Sequence, residues 1–370
     1  MMLPRSNDDL VEYMQKHGMV KTPAILEAFR AVDRGDFATP QLTQVAYLNR
    51  PVQDGPVHLS APFIYADALE ELKPKPGMSF LNIGCGTGYL SYLVSMLLGE
   101  RGQNHGVELN EALLEHAARC IAATDERLGR KTDIQILRGN GLNVVVDSGG
   151  GYDCVYVGAG CDPDLTLPYL QGLLNVGGVM VAPFREELVR VERLEDGSFS
   201  SRTLCNVCFS PIAMPTSPSA GSKKNGGTPV GPPAVRFVVK PWSPQYHSIY
   251  PRSFRDAVVI VLMANAREDA LPGVLPPALW MEIMGFARRD WFSESAILEE
   301  RQARAQAERD AVAAGKGKGK RKGREGSGGG GSGISPSSIS SGCLGAAKTV
   351  AMLPVKAGNA AASQIGCPVS

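Results

Sequence analysis

The chain has 370 residues, of which 44% are hydrophobic and 20% are charged, so it can bury the core of one large domain and still carry extensions. The formal net charge is +1, and this balance argues against a nucleic-acid-binding protein. This near-zero net charge is a sum over two unlike parts. Residues 316–324 form a basic run, and the rest of the chain is mildly acidic.

The N-terminal residues lack the apolar stretch of a signal peptide, and no run of about 18 apolar residues predicts a transmembrane helix. Several of the eight cysteines lie in apolar, strand-like stretches, as Cys154 does, which is typical of buried free thiols in a reducing compartment. We therefore expect a cytoplasmic protein without a transmembrane segment.

Residues 1–62 read as helices followed by a loop, with Thr22 as an N-cap before Pro23. From 63 to 215, strand signals alternate with helix signals, and two helices are predicted to end at Gly99 and Gly129. The predicted strands are 79–84, 103–109, 133–139, 152–158, 177–183, 188–194 and 204–212. This alternation predicts an α/β fold with a mostly parallel seven-stranded sheet, helices on both faces and a final hairpin.

The remaining chain divides by composition. Residues 216–232 are rich in serine, glycine and proline, which is typical of a flexible linker. Residues 233–312 regain globular character, with a strand or helix in the FRDAVVIVLM stretch. Residues 313–370 are rich in glycine, serine and alanine and are expected to be disordered.

A glycine-rich turn carries the sharpest chemical signal. Gly84, Cys85, Gly86, Thr87 and Gly88 follow a predicted strand and open a predicted helix, where backbone and N–H groups can approach a ligand closely. Glu108 ends the next strand, where a carboxylate can accept hydrogen bonds from ribose hydroxyls. The spacing is GxGxG rather than GxGxxG, and the helix-close glycine that a pyrophosphate-binding loop needs does not follow, which favours S-adenosylmethionine. A structural turn with an incidental glutamate, or another nucleotide, remains the alternative.

Other candidate cofactor residues also lie at the carboxyl ends of predicted strands, which is where open α/β sheets bind ligands. Leu109 follows Glu108, Asn140 and Gly141 follow the third strand on the expected adenine side, and Gly158 follows the fourth, near the methionine end. No metal site is predicted.

Several segments together resemble the protein-L-isoaspartate O-methyltransferases, most closely the branch called protein-L-isoaspartate O-methyltransferase domain-containing proteins. The resemblance spans roughly 7–260 and rests on segments that include 28–37, the His58–Tyr65 stretch with its Ser-Ala-Pro element, the glycine turn, 104–109, 152–160 and 173–183. It implies a Rossmann-like S-adenosylmethionine-dependent methyltransferase domain over 1–215, in which 1–62 supplies helices and a substrate-side loop.

The resemblance implies methylation of isoaspartyl carboxylates in damaged proteins, a repair reaction in which Ser60 contacts the carboxylate. Ser60 could instead cap the helix that begins near Pro62. Phe63 and Tyr65 stand where the catalytic family has histidines, and Asn140 stands where it has an aspartate. These departures, shared with the domain-containing branch, favour the alternative of a weakly active or inactive cofactor-binding substrate adaptor of a cullin-type ubiquitin ligase.

Two further segments suggest partners. Residues 275–292 predict an amphipathic helix that could recruit a ubiquitin-ligase adaptor or pack on its own domain. The final four residues, from Cys367, match a prenylation pattern, so a lipid anchor is a second hypothesis beside chance agreement.

Overall fold

A computed structural model describes residues 3–146, 151–215, 234–237, 244–250 and 252–265, together with residues 279, 283 and 284. The predicted linker at 216–232, the predicted disordered tail at 313–370 and Cys367 lie outside the described residues, as does most of the predicted partner helix. Among the described helices, none is long and apolar enough to cross a membrane.

The described helices lie mainly in the first half of the chain. They are α1 (Asn7–Lys16), α2 (Pro23–Ala31), α3 (Pro62–Leu72), α4 (Tyr89–Leu98), α5 (Glu111–Leu128), α6 (Pro163–Gly172) and α7 (Arg252–Asn265). The FRDAVVIVLM stretch is therefore helical. Thr22 is the N-cap of α2 as predicted, but its hydroxyl donates to the Glu70 carboxylate instead of capping the helix.

The described strands form one large sheet and two small ribbons. They are β1 (Val52–Asp54), β2 (Val57–Leu59), β3 (Ser79–Ile83), β4 (Gln103–Glu108), β5 (Ile134–Arg138), β6 (Val144–Val146), β7 (Tyr152–Val157), β8 (Leu174–Phe184), β9 (Glu187–Arg193), β10 (Phe199–Asn206) and β11 (Val235–Phe237).

The large sheet has seven strands in the order β10-β9-β8-β7-β3-β4-β5. Neighbouring strands from β8 to β5 pair in parallel, whereas β9 is antiparallel to both of its neighbours. From β3 the chain continues outward to β4 and β5 on one side of the sheet. It then returns to the other side of β3 and continues outward from β7 to β10. The carboxyl end of β3 is thus the switch point at which sheets of this kind bind ligands.

Successive residues of the central strands face opposite sides of the sheet, and both sides are buried. In β7, Tyr156 packs with α3 and α4 in one hydrophobic cluster, while Val155 packs in the other cluster beside Leu170 of α6. Burial on both faces explains why these strands read as continuous apolar runs. The predicted α/β class with helices on both faces is confirmed.

The prediction of a strand at 204–212 was wrong in its bounds, because the strand is Phe199–Asn206. Most side chains of β10 are exposed, and among the described strands its backbone pairs with β9 alone. An edge strand of this kind is held by main-chain hydrogen bonds and needs no apolar alternation. The apolar residues that led to the prediction lie mostly after the end of the strand at Asn206. The predicted hairpin itself, between β9 and β10, is present.

Residues beyond the predicted linker contact the methyltransferase-like region. β11 pairs in parallel with β6, so that Val235 lies opposite Val144 and Phe237 opposite Val146. Phe237 is buried, and its ring stacks on the ring of His105 with centroids 4.4 Å apart. Because His105 belongs to a central strand, the described start of the C-terminal extension is packed against the sheet.

Candidate active site

The predicted glycine turn lies at the carboxyl end of β3. Its three glycines have φ values of 70° at Gly84, 54° at Gly86 and 81° at Gly88, all in the left-handed region that favours glycine. The N–H groups of Gly84 and Cys85 both donate to the carbonyl of Val107 in β4. The turn is thereby fixed against the neighbouring strand before α4 begins at Tyr89.

Glu108, the last residue of β4, holds this turn through its carboxylate. Oε2 accepts a hydrogen bond from the N–H of Gly86 at 2.9 Å. Oε1 accepts from the N–H groups of Leu109 at 2.8 Å and Asn110 at 3.0 Å. The side chain is therefore oriented at the switch point, which is the position that a ribose-binding acid requires. Leu109 exposes 43% of its surface there and offers an apolar contact.

The turn after β5 packs closely on the end of β3, just before the glycine turn. A Cβ atom at Gly141 would lie 2.1 Å from Cγ2 of Ile83, so only glycine fits without displacing the last residue of β3. Asn140 is buried, and its Oδ1 accepts from the N–H of Leu142 while its Nδ2 donates to the carbonyl of Ala213. This places the predicted adenine-side residues beside the switch point.

The loop after β7 closes the other side of the site. The N–H of Gly158 donates to the carbonyl of Ile83 at 2.8 Å. A Cβ atom at Gly158 would lie 2.8 Å from the carbonyl oxygen of Gly84, so the two loops approach as closely as glycine permits. The amide of Gly158 is therefore used inside the protein. The N–H of the next residue, Ala159, has no hydrogen-bond acceptor among the described residues.

Ser60 lies between β2 and α3, at the edge of the same site. The carbonyl of His58, two residues earlier, is 3.9 Å from the position a Cβ would take on Gly86. The backbone N–H of Ser60 donates to the hydroxyl of Tyr65 at 3.0 Å. The N-cap of α3 is Ala61, and no hydrogen bond of the Ser60 hydroxyl is seen within the described part of the chain. The hydroxyl is thus not occupied by capping.

The two positions that depart from the histidines of the catalytic family have structural roles. Tyr65 is buried and anchors the backbone of Ser60. The N–H of Phe63 donates to Oδ1 of Asn49 at 3.1 Å, which fixes the first turn of α3 against the preceding loop.

Sequence reasoning did not assign a role to Arg34, which is fully buried beneath this element. Its Nε donates to the carbonyl of Ala46 at 2.6 Å and its Nη2 to that of Leu59 at 3.3 Å. The guanidinium lies 5.9 Å from the ring centre of Tyr65 and 5.7 Å from that of Tyr89. Burial lowers the pKa of Arg34, and the two phenols oppose this effect. In the sequence Arg34 stands between Asp33 and Asp36, so no local signal distinguishes it from an exposed arginine.

The glycine turn also contains a thiol. Burial raises the pKa of Cys85 well above its ordinary value, and the carboxylate of Glu108 raises it further. The thiol therefore stays protonated and is a poor nucleophile. Within the described residues no group of three histidine, cysteine or acidic side chains could hold a metal ion.

A family model for protein-L-isoaspartate(D-aspartate) O-methyltransferases matches residues 5–216, which is more than half of the chain. The chain belongs to this family. Protein-L-isoaspartate O-methyltransferase of Triticum aestivum is 31% identical over 219 residues, covering 56% of this chain and 90% of that protein. Protein-L-isoaspartate O-methyltransferase 1 of Arabidopsis thaliana matches with the same identity and coverage.

The fold agrees with a solved structure. A Plasmodium falciparum protein described as a protein-L-isoaspartate O-methyltransferase, in complex with S-adenosyl-L-homocysteine, aligns with a TM-score of 0.50. That alignment covers 57% of this chain and 99% of the other at 23% sequence identity, which establishes the similarity of fold. The family expected from the sequence is confirmed, and its members use S-adenosylmethionine as the methyl donor.

The residues of this chain fit that cofactor. The left-handed glycine turn leaves room beside β3, the Glu108 carboxylate is fixed at the next strand end, and Gly141 and Gly158 keep both flanking loops close. The roles of Ser60, Cys85, Thr87, Leu109 and Asn140 at the cofactor or substrate remain predictions.

Proposed function

We propose that this protein transfers a methyl group from S-adenosylmethionine to the free carboxylate of isoaspartyl residues in damaged proteins. The observation that carries the proposal is the position of Ser60. Its hydroxyl is not occupied by helix capping, its backbone is anchored by Tyr65, and the preceding strand lies against the glycine turn. A carboxylate bound by Ser60 would stand at the switch point of the sheet.

The bound cofactor supplies a methyl group on a sulfonium centre. The acceptor carboxylate has a pKa of about 4, so it is ionised at neutral pH and requires no general base. The protein's task is then to orient the carboxylate and exclude water. Ser60 can donate one hydrogen bond to it, and the N–H of Ala159 can donate a second. The protonated Cys85 thiol does not compete for the methyl group.

The test uses purified full-length protein, labelled S-adenosylmethionine and two peptides that differ only in an isoaspartyl or aspartyl residue. We expect label to enter the isoaspartyl peptide as a base-labile ester, and Ser60→Ala to lower kcat/KM by about tenfold or more. Ser91→Ala is a control, because the Ser91 hydroxyl accepts from Asn82 inside the core. Binding of S-adenosylhomocysteine without ester formation on the isoaspartyl peptide would contradict the proposal.

The segment 275–292 supports a further proposal, namely that it binds a protein partner such as a ubiquitin-ligase adaptor. Of this segment the structure describes Leu279 and Ile283, which are 42% and 38% exposed, and Met284, which is buried. Apolar residues exposed four positions apart suit a helix that docks in a partner groove. Loss of a co-purifying ligase adaptor in a Leu279→Asp, Ile283→Asp double variant would support it, and unchanged recovery would contradict it.

A cytoplasmic location and a lipid anchor at Cys367 are also proposals. Fractionation of cells that express the full chain, with and without Cys367→Ser, tests both. A lipid-anchored protein would move from the membrane fraction to the cytosol in the variant. Equal distribution of the two forms would contradict the anchor.

A further inference from the structure

Both heteroatoms of the Asn140 side-chain amide form hydrogen bonds within the protein. Oδ1 accepts from the N–H of Leu142 at 2.8 Å, and Nδ2 donates to the carbonyl of Ala213 at 2.8 Å. The side chain is buried, with the residue only 6% exposed. These two neighbours fix the orientation of the amide. If its oxygen and nitrogen were exchanged, the NH₂ group would face the N–H of Leu142 and the oxygen would face the carbonyl of Ala213.

The bond to Ala213 ends a short segment that also binds the loop after β7. The N–H of Gly160 donates to the carbonyl of Ser210 at 2.7 Å, and the N–H of Ile212 donates to the carbonyl of Gly160 at 2.8 Å. Consecutive residues of the segment, Ile212 and Ala213, therefore bind two different loops. We call residues 210–213 the brace.

The two loops that the brace joins lie on either side of the glycine turn. Gly141, next to Asn140, packs on Ile83, and Gly158, near Gly160, approaches Gly84. The N–H of Ala159, the second donor in the proposed function, belongs to the residue next to Gly160, which the brace binds. Any shift of the brace would move this donor relative to the turn.

We propose that Asn140 is a positioning residue that holds the brace and thereby sets the loop after β7 against the bound substrate. An aspartate at this position could still accept from Leu142, but it could not donate to the carbonyl of Ala213. Two oxygens would then face each other at hydrogen-bond distance, which is repulsive. This explains why an amide, and not the acid of the catalytic family, occupies the position. The inference rests on the proposed function for its effect on substrate.

The test compares Asn140→Asp with Asn143→Asp. Both add one negative charge in the same turn, but no hydrogen bond of the Asn143 side chain is seen in the described structure. Hydrogen exchange of the backbone amides of Ile212 and Gly160, measured without cofactor, reports whether the hydrogen bonds of the brace are formed. We expect Asn140→Asp to lose about tenfold of the protection at both amides, as loss of one buried hydrogen bond implies, and Asn143→Asp to retain it.

Kinetics then separate positioning from simple structural support. We expect the KM for an isoaspartyl peptide to rise about fivefold in Asn140→Asp with kcat changed less than twofold, since binding and not chemistry is disturbed. Asn140→Ser keeps a hydroxyl that can accept from Leu142 but cannot reach Ala213. We expect the same changes in exchange protection and KM for this variant, and it replaces Asn140→Asp if that variant does not fold.

Unchanged protection at Ile212 in either Asn140 variant would overturn the inference, whatever happens to affinity for S-adenosylhomocysteine. Lost protection with unchanged KM and kcat would also overturn the positioning role. The exchange measurement needs no methyl transfer. Failure of the proposed function would therefore appear as absent turnover in the unmodified protein, with the exchange result still readable.

Discussion

The hydroxyl of Tyr65 accepts a hydrogen bond from the backbone N–H of Ser60 at 3.0 Å. Tyr65 lies one turn into α3, and Ser60 lies just before it, so this bond ties the substrate-side loop to the helix that follows. The Tyr65 ring also meets the ring of Tyr89, at the start of α4, edge-on with centroids 5.5 Å apart. The loop is thus positioned from the helix that begins at the glycine turn.

Replacing Tyr65 with phenylalanine should therefore lower activity more than cofactor affinity. We expect kcat/KM for an isoaspartyl peptide to fall about tenfold, equivalent to one buried hydrogen bond, with the Kd for S-adenosylhomocysteine unchanged. Tyr92→Phe is the control, because the Tyr92 hydroxyl donates to Asp125 at 2.7 Å away from the site. A loss of activity in the control equal to that in Tyr65→Phe would contradict the assigned role.

Glu108→Gln should weaken cofactor binding. The carboxylate accepts three backbone N–H groups, and a glutamine would turn its own NH₂ group toward at least one of them. We expect the Kd for S-adenosylhomocysteine, measured by calorimetric titration, to rise about 10- to 100-fold. Glu111→Gln removes only an exposed ion pair with Arg138 and should leave the Kd unchanged. Equal affinities for the two variants would argue against Glu108 as the ribose-side acid.

Gly141→Ala should destabilise the protein, since the added methyl would meet Cγ2 of Ile83 in the core. Overpacking of this kind costs about 1–3 kcal/mol in the free energy of unfolding, measurable by urea denaturation. Gly172→Ala is the matched control at the end of α6, where a Cβ meets nothing within 4 Å. That variant should be neutral or slightly stabilised, because alanine favours the helix. A stable Gly141→Ala protein would show that the turn after β5 does not pack on β3.

The pH dependence of stability should show that the ionised carboxylate of Asp67 destabilises the folded protein. Burial raises the pKa of this carboxyl, and the neighbouring Glu71 raises it further. A folded-state pKa above the unfolded value means that the ionised group destabilises the fold at neutral pH, and that the penalty disappears as pH falls through the folded pKa. Asp67→Asn should therefore raise the Tm at pH 7, with the difference shrinking toward acidic pH.

Asp196 provides a comparison in which the pKa shift has the opposite sign. Hydrogen bonds from Ser198 lower its pKa, so its ionised form stabilises the fold at neutral pH and this contribution is lost in acid. Asp196→Asn should lower the Tm at pH 7, and the difference should also vanish at low pH. Thermal scans of both variants from pH 7 down to about pH 2, below the ordinary pKa of an aspartate, check the two signs together. Shifts of equal sign would show that the local environments are misassigned.

Much of the fold could be predicted from the sequence because its signals are local. The alternation of strands with helices, the glycines at left-handed positions and the acid at the end of the next strand are set by neighbouring residues. The bounds of β10 could not be predicted, because an exposed edge strand is stabilised by pairing with β9 and carries no apolar period.

The sequence alone determined the α/β class, the family and the residues expected to hold the cofactor, since spacing along the chain encodes them. Only the tertiary structure decided that Tyr65 anchors Ser60, that Asn140 binds Ala213 and that β11 pairs with β6. The last two join residues more than 70 positions apart. The first joins near neighbours, but its geometry depends on how the helix packs. No local pattern records such contacts, because they arise when separate elements pack on one core.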